Sequence, residues 1–394
     1  MKKKRIIVLF VVAVITLGIY LSWRTYNKSL KEWHNLPKTP QTKEEVVKKE
    51  LLEDYYPKAE KIVEEMTLNE KIGQLFLVRY NISEIEGYKD YYPGGYILFA
   101  KDFENHTKAS IKEELEYVQS INKYPLLLGV DEEGGVVTRV SRFRAFRETF
   151  FYAPKYYYEQ GGYELLEEIE KEKAELLKSI GLNWNLAPVA DISINPADFI
   201  YDRSFGKDAN ETSEFIKKMV TYAKENKINA TLKHFPGYGN NIDTHTGVAI
   251  DNRSYETFLE EDFKPFEAGI KAGVPSVLIS HNVVTSIDPE YPSSLSNKVI
   301  KELRENLDFS GIIMTDDLAM DAVKSYVEGG HAATLAINAG NDMIITSDFI
   351  TMYNEIYQAV EMEEIKEETI NKAVIRILAW KYSSGLFENS DIIA

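Results

Sequence analysis

The sequence predicts an α/β chain folded as a (β/α)8 TIM-like barrel, preceded by an N-terminal transmembrane helix and a polar tether. Three observations predict it. Eight short apolar runs recur between residues 74 and 345, and they are near-continuous, as strands buried on both faces of a parallel sheet are. Helical patterns separate most of them, and eight such units over about 330 residues match a barrel with long loops. No glycine-rich phosphate turn follows Val78, where a doubly wound sheet would carry one after its first strand.

At the amino end, Lys2-Lys3-Lys4-Arg5 precede an apolar run of 18 residues, Ile6–Trp23, interrupted only by Thr16, Gly18 and Ser22. A run of that length can cross a bilayer. The basic cluster should stay on the cytoplasmic side, which places all that follows outside the cell. No small-x-small cleavage pattern occurs between Tyr20 and Lys28, so the segment reads as an uncleaved signal anchor; a cleaved secretory signal is the alternative. The expected organisation is a basic tip and anchor over 1–25, a tether over 26–57 and a catalytic barrel over 58–394. The tether is charged, contains Pro37 and Pro40 and shows no strand pattern, although Lys43–Leu52 fits a solvated helix.

The strand candidates are Gln74–Val78, Gly95–Phe99, Pro125–Val130, Leu182–Pro188, Ala230–Phe235, Pro275–Ser280, Gly311–Met314 and Asp342–Ile345. Helices are expected at Lys108–Asn122, Tyr163–Ile180, Ser213–Asn226, Tyr255–Ala272, Asn297–Asn306, Gly329–Ala339 and Phe349–Met362, and Lys366–Gly385 closes the chain.

Composition narrows the function. The net charge is -16, but residues 1–50 hold 11 Lys/Arg against 4 Glu, so the body is more acidic still. A surface of that sign repels phosphate backbones, and nucleic acid is not an expected partner. The absence of cysteine removes disulfides, thiolate catalysis, cysteine-ligated metals and a lipoprotein anchor. The six histidines show no metal-ligand spacing, and no metal is expected.

Polar residues follow or end several strand candidates: Asp131, Asp191, Lys233-His234, His281 and Asp316. Barrel enzymes build their sites at the carboxyl ends of their strands. Between Thr231 and Gly247 the chain delivers Lys233 and His234, turns at Pro236, Gly237 and Gly239, and reaches Asp243-Thr244-His245. Cations at a strand end can grip sugar hydroxyls, and an Asp beside a His can hold the ring as a proton donor. A proton donor on one loop and a carboxylate on another are the pair that glycoside cleavage requires.

Seven segments in order then carry a resemblance. They are Met66–Gln74, Gly94–Phe99, Gly129–Gly135, Asn185–Asp191, Asp202–Gly206, the Lys-His-Phe-Pro-Gly stretch from Lys233, and Thr315-Asp-Asp-Leu318. Together they resemble glycoside hydrolase family 3, in particular its single-domain β-N-acetylglucosaminidases. The resemblance implies a TIM-like barrel, no cofactor and retention of anomeric configuration. It implies Asp316 as nucleophile, with Asp317 as the adjacent rival that more naturally caps the helix starting near Leu318. It implies Asp243 and His245 as the acid/base pair, and Asp131, Arg203, Lys233 and His234 as sugar-binding residues. Glu132 and Glu133 read as solvated or structural, and His281 and Arg139 as further pocket residues. The expected activity is exo-acting removal of terminal GlcNAc from peptidoglycan-derived fragments. A β-glucosidase, a β-xylosidase, a GlcNAc phosphorylase and a non-catalytic sugar-binding barrel remain as alternatives.

One loop departs from the family pattern. The family reads Gly-His-Gly-Asp-Thr before its dyad; here Gly237-Tyr-Gly-Asn-Asn241 stands there and is one residue shorter. Tyr238 either packs on a sugar face or fills the core beneath the loop. The tyrosine clusters Tyr88–Tyr92 and Tyr156–Tyr158 are expected to serve packing and surface rather than sugar stacking.

Overall fold

A computed structural model describes residues 49–241, 249–320, 323, 326–327 and 331–388. The anchor, most of the tether, Asp243 and His245 lie outside the described residues. Among the described residues, no helix is long and apolar enough to cross a membrane.

The eight apolar runs fold as β1 (Phe76–Arg79), β2 (Gly95–Leu98), β3 (Leu127–Val130), β4 (Trp184–Asn185), β5 (Asn229–Phe235), β7 (Ser276–Ile279), β9 (Ile312–Thr315) and β10 (Ile344–Thr346), with β6 (Ile250–Asp251) and β8 (Val283–Val284) forming a separate two-stranded sheet. The eight pair in the order β10-β1-β2-β3-β4-β5-β7-β9, and every pair is parallel. A parallel bridge between Met314 and Met343 brings the two end strands together, so the sheet is a nearly closed barrel. Almost every strand residue is buried, because side chains fill the interior on one face and meet helices on the other. β4 is short: beyond Asn185 the Ala187 amide turns back to the Asn185 carbonyl at 2.8 Å, and pairing with β5 resumes only at Val189.

Helices alternate with the strands near the expected positions. Lys108–Ser120, Ala209–Glu225, Phe349–Glu361 and Glu367–Ser383 begin or end within a few residues of the sequence pattern. Thr107 and Asp208 cap two of them by accepting backbone N–H bonds, as short polar side chains at helix starts do. The helix expected from Tyr163 starts earlier, at Pro154, and is kinked at Gly161-Gly162, where Gly162 has φ +63°. That glycine pair breaks the apolar period, which hides the first two turns from a periodicity search.

The packed body also begins upstream of Lys58. Leu52 is buried, the Leu51 amide donates to Ser310 Oγ at 3.0 Å, and a helix runs from Tyr56 to Glu65 with Pro57 in its first turn. At the amino end of the barrel the last helix closes the floor. Trp380 packs edge-on against Trp184 at 4.9 Å and donates to Asn229 Oδ1 at 2.8 Å. Lys381, fully buried, donates to Gln74 Oε1 at 2.6 Å. Tyr88 and Tyr91 pack edge-on against Phe349, so that cluster serves packing.

Candidate active site

Parallel strands send all their carboxyl ends to one mouth, so Asp131, the loop carrying Arg203, Lys233, His281 and Asp316 share one end of the barrel. The floor described above lies at the other.

Asp131 leaves β3 at the head of a tightly built turn. Asn185 at the end of β4 grips that turn, accepting from the Glu132 amide at 2.9 Å and donating to the Glu132 carbonyl at 3.1 Å. The Glu132 carboxylate folds back to accept from the Arg139 and Val140 amides at 2.7 Å each, and from the Ser141 hydroxyl. Glu132 is therefore structural and fully buried. The chain can turn there because Gly134 has φ +102° and a Cβ on it would overlap the Tyr152 carbonyl oxygen.

Glu133 is the residue that sequence reasoning missed. Read from sequence as solvated or structural, it is buried and joins two cations, Arg203 from the loop after β4 and Lys233 from β5. It accepts from Arg203 Nε at 2.9 Å and Arg203 Nη2 at 2.8 Å, and Lys233 Nζ lies 2.6 Å away. Lys233 also donates to Asp131 Oδ1 at 2.7 Å. Burial alone would raise the Glu133 carboxyl, but Arg203 and Lys233 override it and hold the group well below the usual carboxylate range. Burial likewise opposes the charge on Arg203, and Glu133 more than restores it. The only sequence signal was position: two residues past a strand-end aspartate, before a Gly-Gly turn.

His234 is arranged differently from Lys233. Its Nδ1 lies 2.7 Å from Asp191 Oδ2, and Arg203 Nη2 lies 3.0 Å from its Nε2. Arginine only donates, so Nε2 accepts and Nδ1–H donates to Asp191. Both ring nitrogens are thereby engaged by protein, and the ring braces the Arg203 guanidinium. Asp191 organises the whole turn, also accepting from the His234 amide at 3.0 Å and the Tyr238 amide at 2.8 Å. Tyr238 is 1% exposed and packs edge-on against His234 at 5.1 Å, so it fills the core beneath the loop.

Asp316 follows β9, and its amide donates to Ile279 O at the end of β7, 3.0 Å away. Its Oδ1 accepts from the Asp317 amide at 2.8 Å. The neighbouring Asp317 carboxylate turns to the backbone, accepting from Ala319 N at 2.9 Å and Ser347 N at 3.2 Å. It therefore caps the turn that leaves the strand, as its position suggested. His281, fully buried, holds this turn from β7. Its Nε2 lies 3.1 Å from the Asp317 carbonyl and must donate to it, while Nδ1 meets Ser294 Oγ at 2.8 Å. Lys233 is one strand from His281, tied through the Ser280 amide to Phe235 O at 2.9 Å. Asp316 is one strand further. Arg139 stacks its guanidinium toward the Phe99 ring at 5.2 Å, and its Nε is buried without a partner among the described residues.

The loop expected to carry the acid/base pair is fixed at both roots. Arg253 donates to the Gly237 carbonyl at 3.3 Å, to Asp251 Oδ2 at 2.8 Å and to Asp262 Oδ2 at 2.8 Å. Asn241 spans the roots by donating to Asp251 Oδ2 at 2.7 Å. Asp262 is pushed up to about 7, chiefly by burial and against the pull of Arg253.

A buried carboxylate flanked by two cations, with a second, largely buried carboxylate beside it and a third two strands round from the one that carries Lys233, can bind a neutral polyol by many directed hydrogen bonds. The description "Glycosyl hydrolase family 3 N terminal domain" matches residues 67–380. A beta-hexosaminidase of Nitrosomonas eutropha is 30% identical over 287 residues, covering 68% of this chain and 78% of that protein. A beta-hexosaminidase of Glaesserella parasuis is 32% identical over 259 residues, covering 64% and 72%. The structure of a family 3 β-N-acetylglucosaminidase from Paenibacillus superposes with a TM-score of 0.76 and 28% identity over 84% of this chain; the chain spans 65% of that protein. With an eight-stranded parallel barrel, a charged site at its carboxyl mouth and a family match over most of its length, the chain belongs to glycosyl hydrolase family 3.

Proposed function

We propose that this glycoside hydrolase is an exo-acting, retaining β-N-acetylglucosaminidase that removes terminal GlcNAc from peptidoglycan-derived fragments. The observation that carries the proposal is the Asp131–Lys233–Glu133–Arg203 cluster opening on the same barrel mouth as Asp316. The β-hexosaminidase names of the similar proteins support the choice of sugar.

In this reading Asp316 attacks the anomeric carbon and forms a glycosyl ester while His245, oriented by Asp243, gives its proton to the departing oxygen. His245 then takes a proton from water, whose oxygen attacks the same carbon and releases Asp316. Two displacements at one carbon retain its configuration. Asp131 accepts from sugar hydroxyls; Lys233 and Arg203 donate to them, and His234 steadies Arg203. The anchor at 1–25 and the tether that follows it, as far as about residue 49, hold the catalytic unit at the outer face of the cell membrane.

The test is turnover of an aryl β-GlcNAc by the full-length chain. Asp316→Ala should abolish release of the chromophore, and Asp317→Ala should leave most of it. Ordinary turnover by Asp316→Ala would remove the nucleophile from this account. Parallel assays with aryl β-glucoside and β-xyloside test the sugar, and sugar 1-phosphate in phosphate buffer would mark a phosphorylase.

A further inference from the structure

We infer that Phe150, Tyr152 and Tyr156 form a stacking ladder for further sugars of an oligosaccharide whose terminal residue sits in the barrel mouth. The inference rests on the proposed function and extends its site outward.

Large apolar side chains scattered singly on a surface need no explanation, but a contiguous exposed group beside a site does. Phe150 is 41% exposed, Tyr152 40% and Tyr156 44%, and they form one group. The rings of Phe150 and Tyr152 lie 4.9 Å apart, and those of Tyr152 and Tyr156 lie 4.7 Å apart. Neither tyrosine hydroxyl bonds to another described residue. The three rings are thus partly exposed and the two tyrosines add a polar tip, the combination that suits a sugar, which has C–H groups on its faces and hydroxyls on its rim.

Position links the ladder to the site on two sides. The Gly135 amide, two residues past Glu133, donates to Phe151 O at 2.8 Å. The Tyr152 amide is held by the Tyr157 hydroxyl at 3.1 Å, which fixes the backbone from within the core. On the other flank Lys155 donates to the Tyr201 carbonyl at 2.8 Å and sits 3.8 Å from the Tyr201 ring centroid, two residues before Arg203. The ladder thus bridges the two loops that deliver Glu133 and Arg203. Of the two tyrosine clusters expected from sequence to serve packing and surface, the one around Tyr88 is half-buried against Phe349, whereas Tyr156 stands exposed.

The experiment compares Tyr152→Ala and Tyr156→Ala with the wild-type full-length chain on two substrates. On an aryl β-GlcNAc, kcat/KM should stay within about twofold, because that substrate ends at the site itself. On GlcNAc oligomers of four units, each variant should lose roughly 3- to 10-fold in kcat/KM, the worth of one ring contact. Equal loss on both substrates, or no loss on the oligomers, overturns the ladder. A wild-type chain that turned over neither substrate would sink the proposed function instead. The ladder would then be decided by affinity electrophoresis in a gel carrying soluble GlcNAc polymer: retardation lost in Tyr152→Ala supports it, and equal mobility overturns it.

Discussion

Glu133→Gln removes one charge and almost no volume from the centre of the site. The carboxylate meets Arg203 through both oxygens, at 2.9 and 2.8 Å, and Lys233 at 2.6 Å. Glutamine keeps one acceptor oxygen, but its amide nitrogen would face an N–H of Arg203 or the Lys233 ammonium. Removing one partner from a buried ion pair costs roughly 3–5 kcal/mol. Asp131 remains 2.7 Å from Lys233 and softens the loss, so about 3 kcal/mol is expected. Urea unfolding of both proteins measures the gap. Its pH dependence has a fixed sign. The fold holds the Glu133 carboxyl below its ordinary value of 4.5, so the unfolded chain takes up the proton first. The stabilisation is therefore complete above the ordinary value and is lost as pH falls beneath it. The gap should be level through neutral pH and narrow below about pH 4.5 by about 1.4 kcal/mol per unit. The same substitution should lower kcat/KM at least tenfold on an aryl β-GlcNAc, because Arg203 and Lys233 lose the group that aligns them. A gap that stays constant into acid, or one under about 1 kcal/mol, refutes the claim that Glu133 is an ionised counter-ion to both cations.

Lys381 gives a prediction of opposite sign: burial pushes its ammonium down from 10.5 to about 7. The unfolded chain keeps a proton that the fold releases, so the cost is fully present below about pH 7 and vanishes as pH rises toward the ordinary value. Replacing it by methionine in Lys381→Met should shift stability relative to wild type by about 2 kcal/mol less at pH 9 than at pH 7, read by urea unfolding at both; a pH-independent difference would mean the buried amine is charged. His281→Ala should cut kcat roughly 10- to 100-fold with little change in KM, since the turn behind Asp316 loses its anchor while the sugar-binding groups stay. A rise in KM at unchanged kcat would place His281 against the substrate instead.

Much of this was legible beforehand. Strands such as Gly95–Leu98 and Ile312–Thr315 are short apolar runs that only a doubly covered sheet can bury, and their ends were readable to within a few residues. Asp317 as a backbone cap followed from being adjacent to Asp316 at a strand end. The start of the helix at Pro154 was not legible, because Gly161-Gly162 interrupts its period. Nor was the role of His234, since a histidine after a lysine at a strand end looks like a sugar ligand until Arg203 and Asp191 are found on its two nitrogens. The acid/base assignment to Asp243 and His245 rests on the sequence, as both lie outside the described residues.

The amino-acid order by itself settled that chemistry-bearing side chains gather at one mouth, because parallel strands all point the same way and the polar residues sit at their leading ends. Tertiary structure alone decided which charges meet. Glu133 and Arg203 are 70 positions apart, and nothing local marks them as partners. It also decided which tyrosines are covered, such as Tyr238, and which, such as Tyr152, stand open. The difference is physical: strand and helix formation reads neighbours along the chain, whereas the charge state of a buried carboxylate or the exposure of a ring depends on what distant segments bring within a few ångströms.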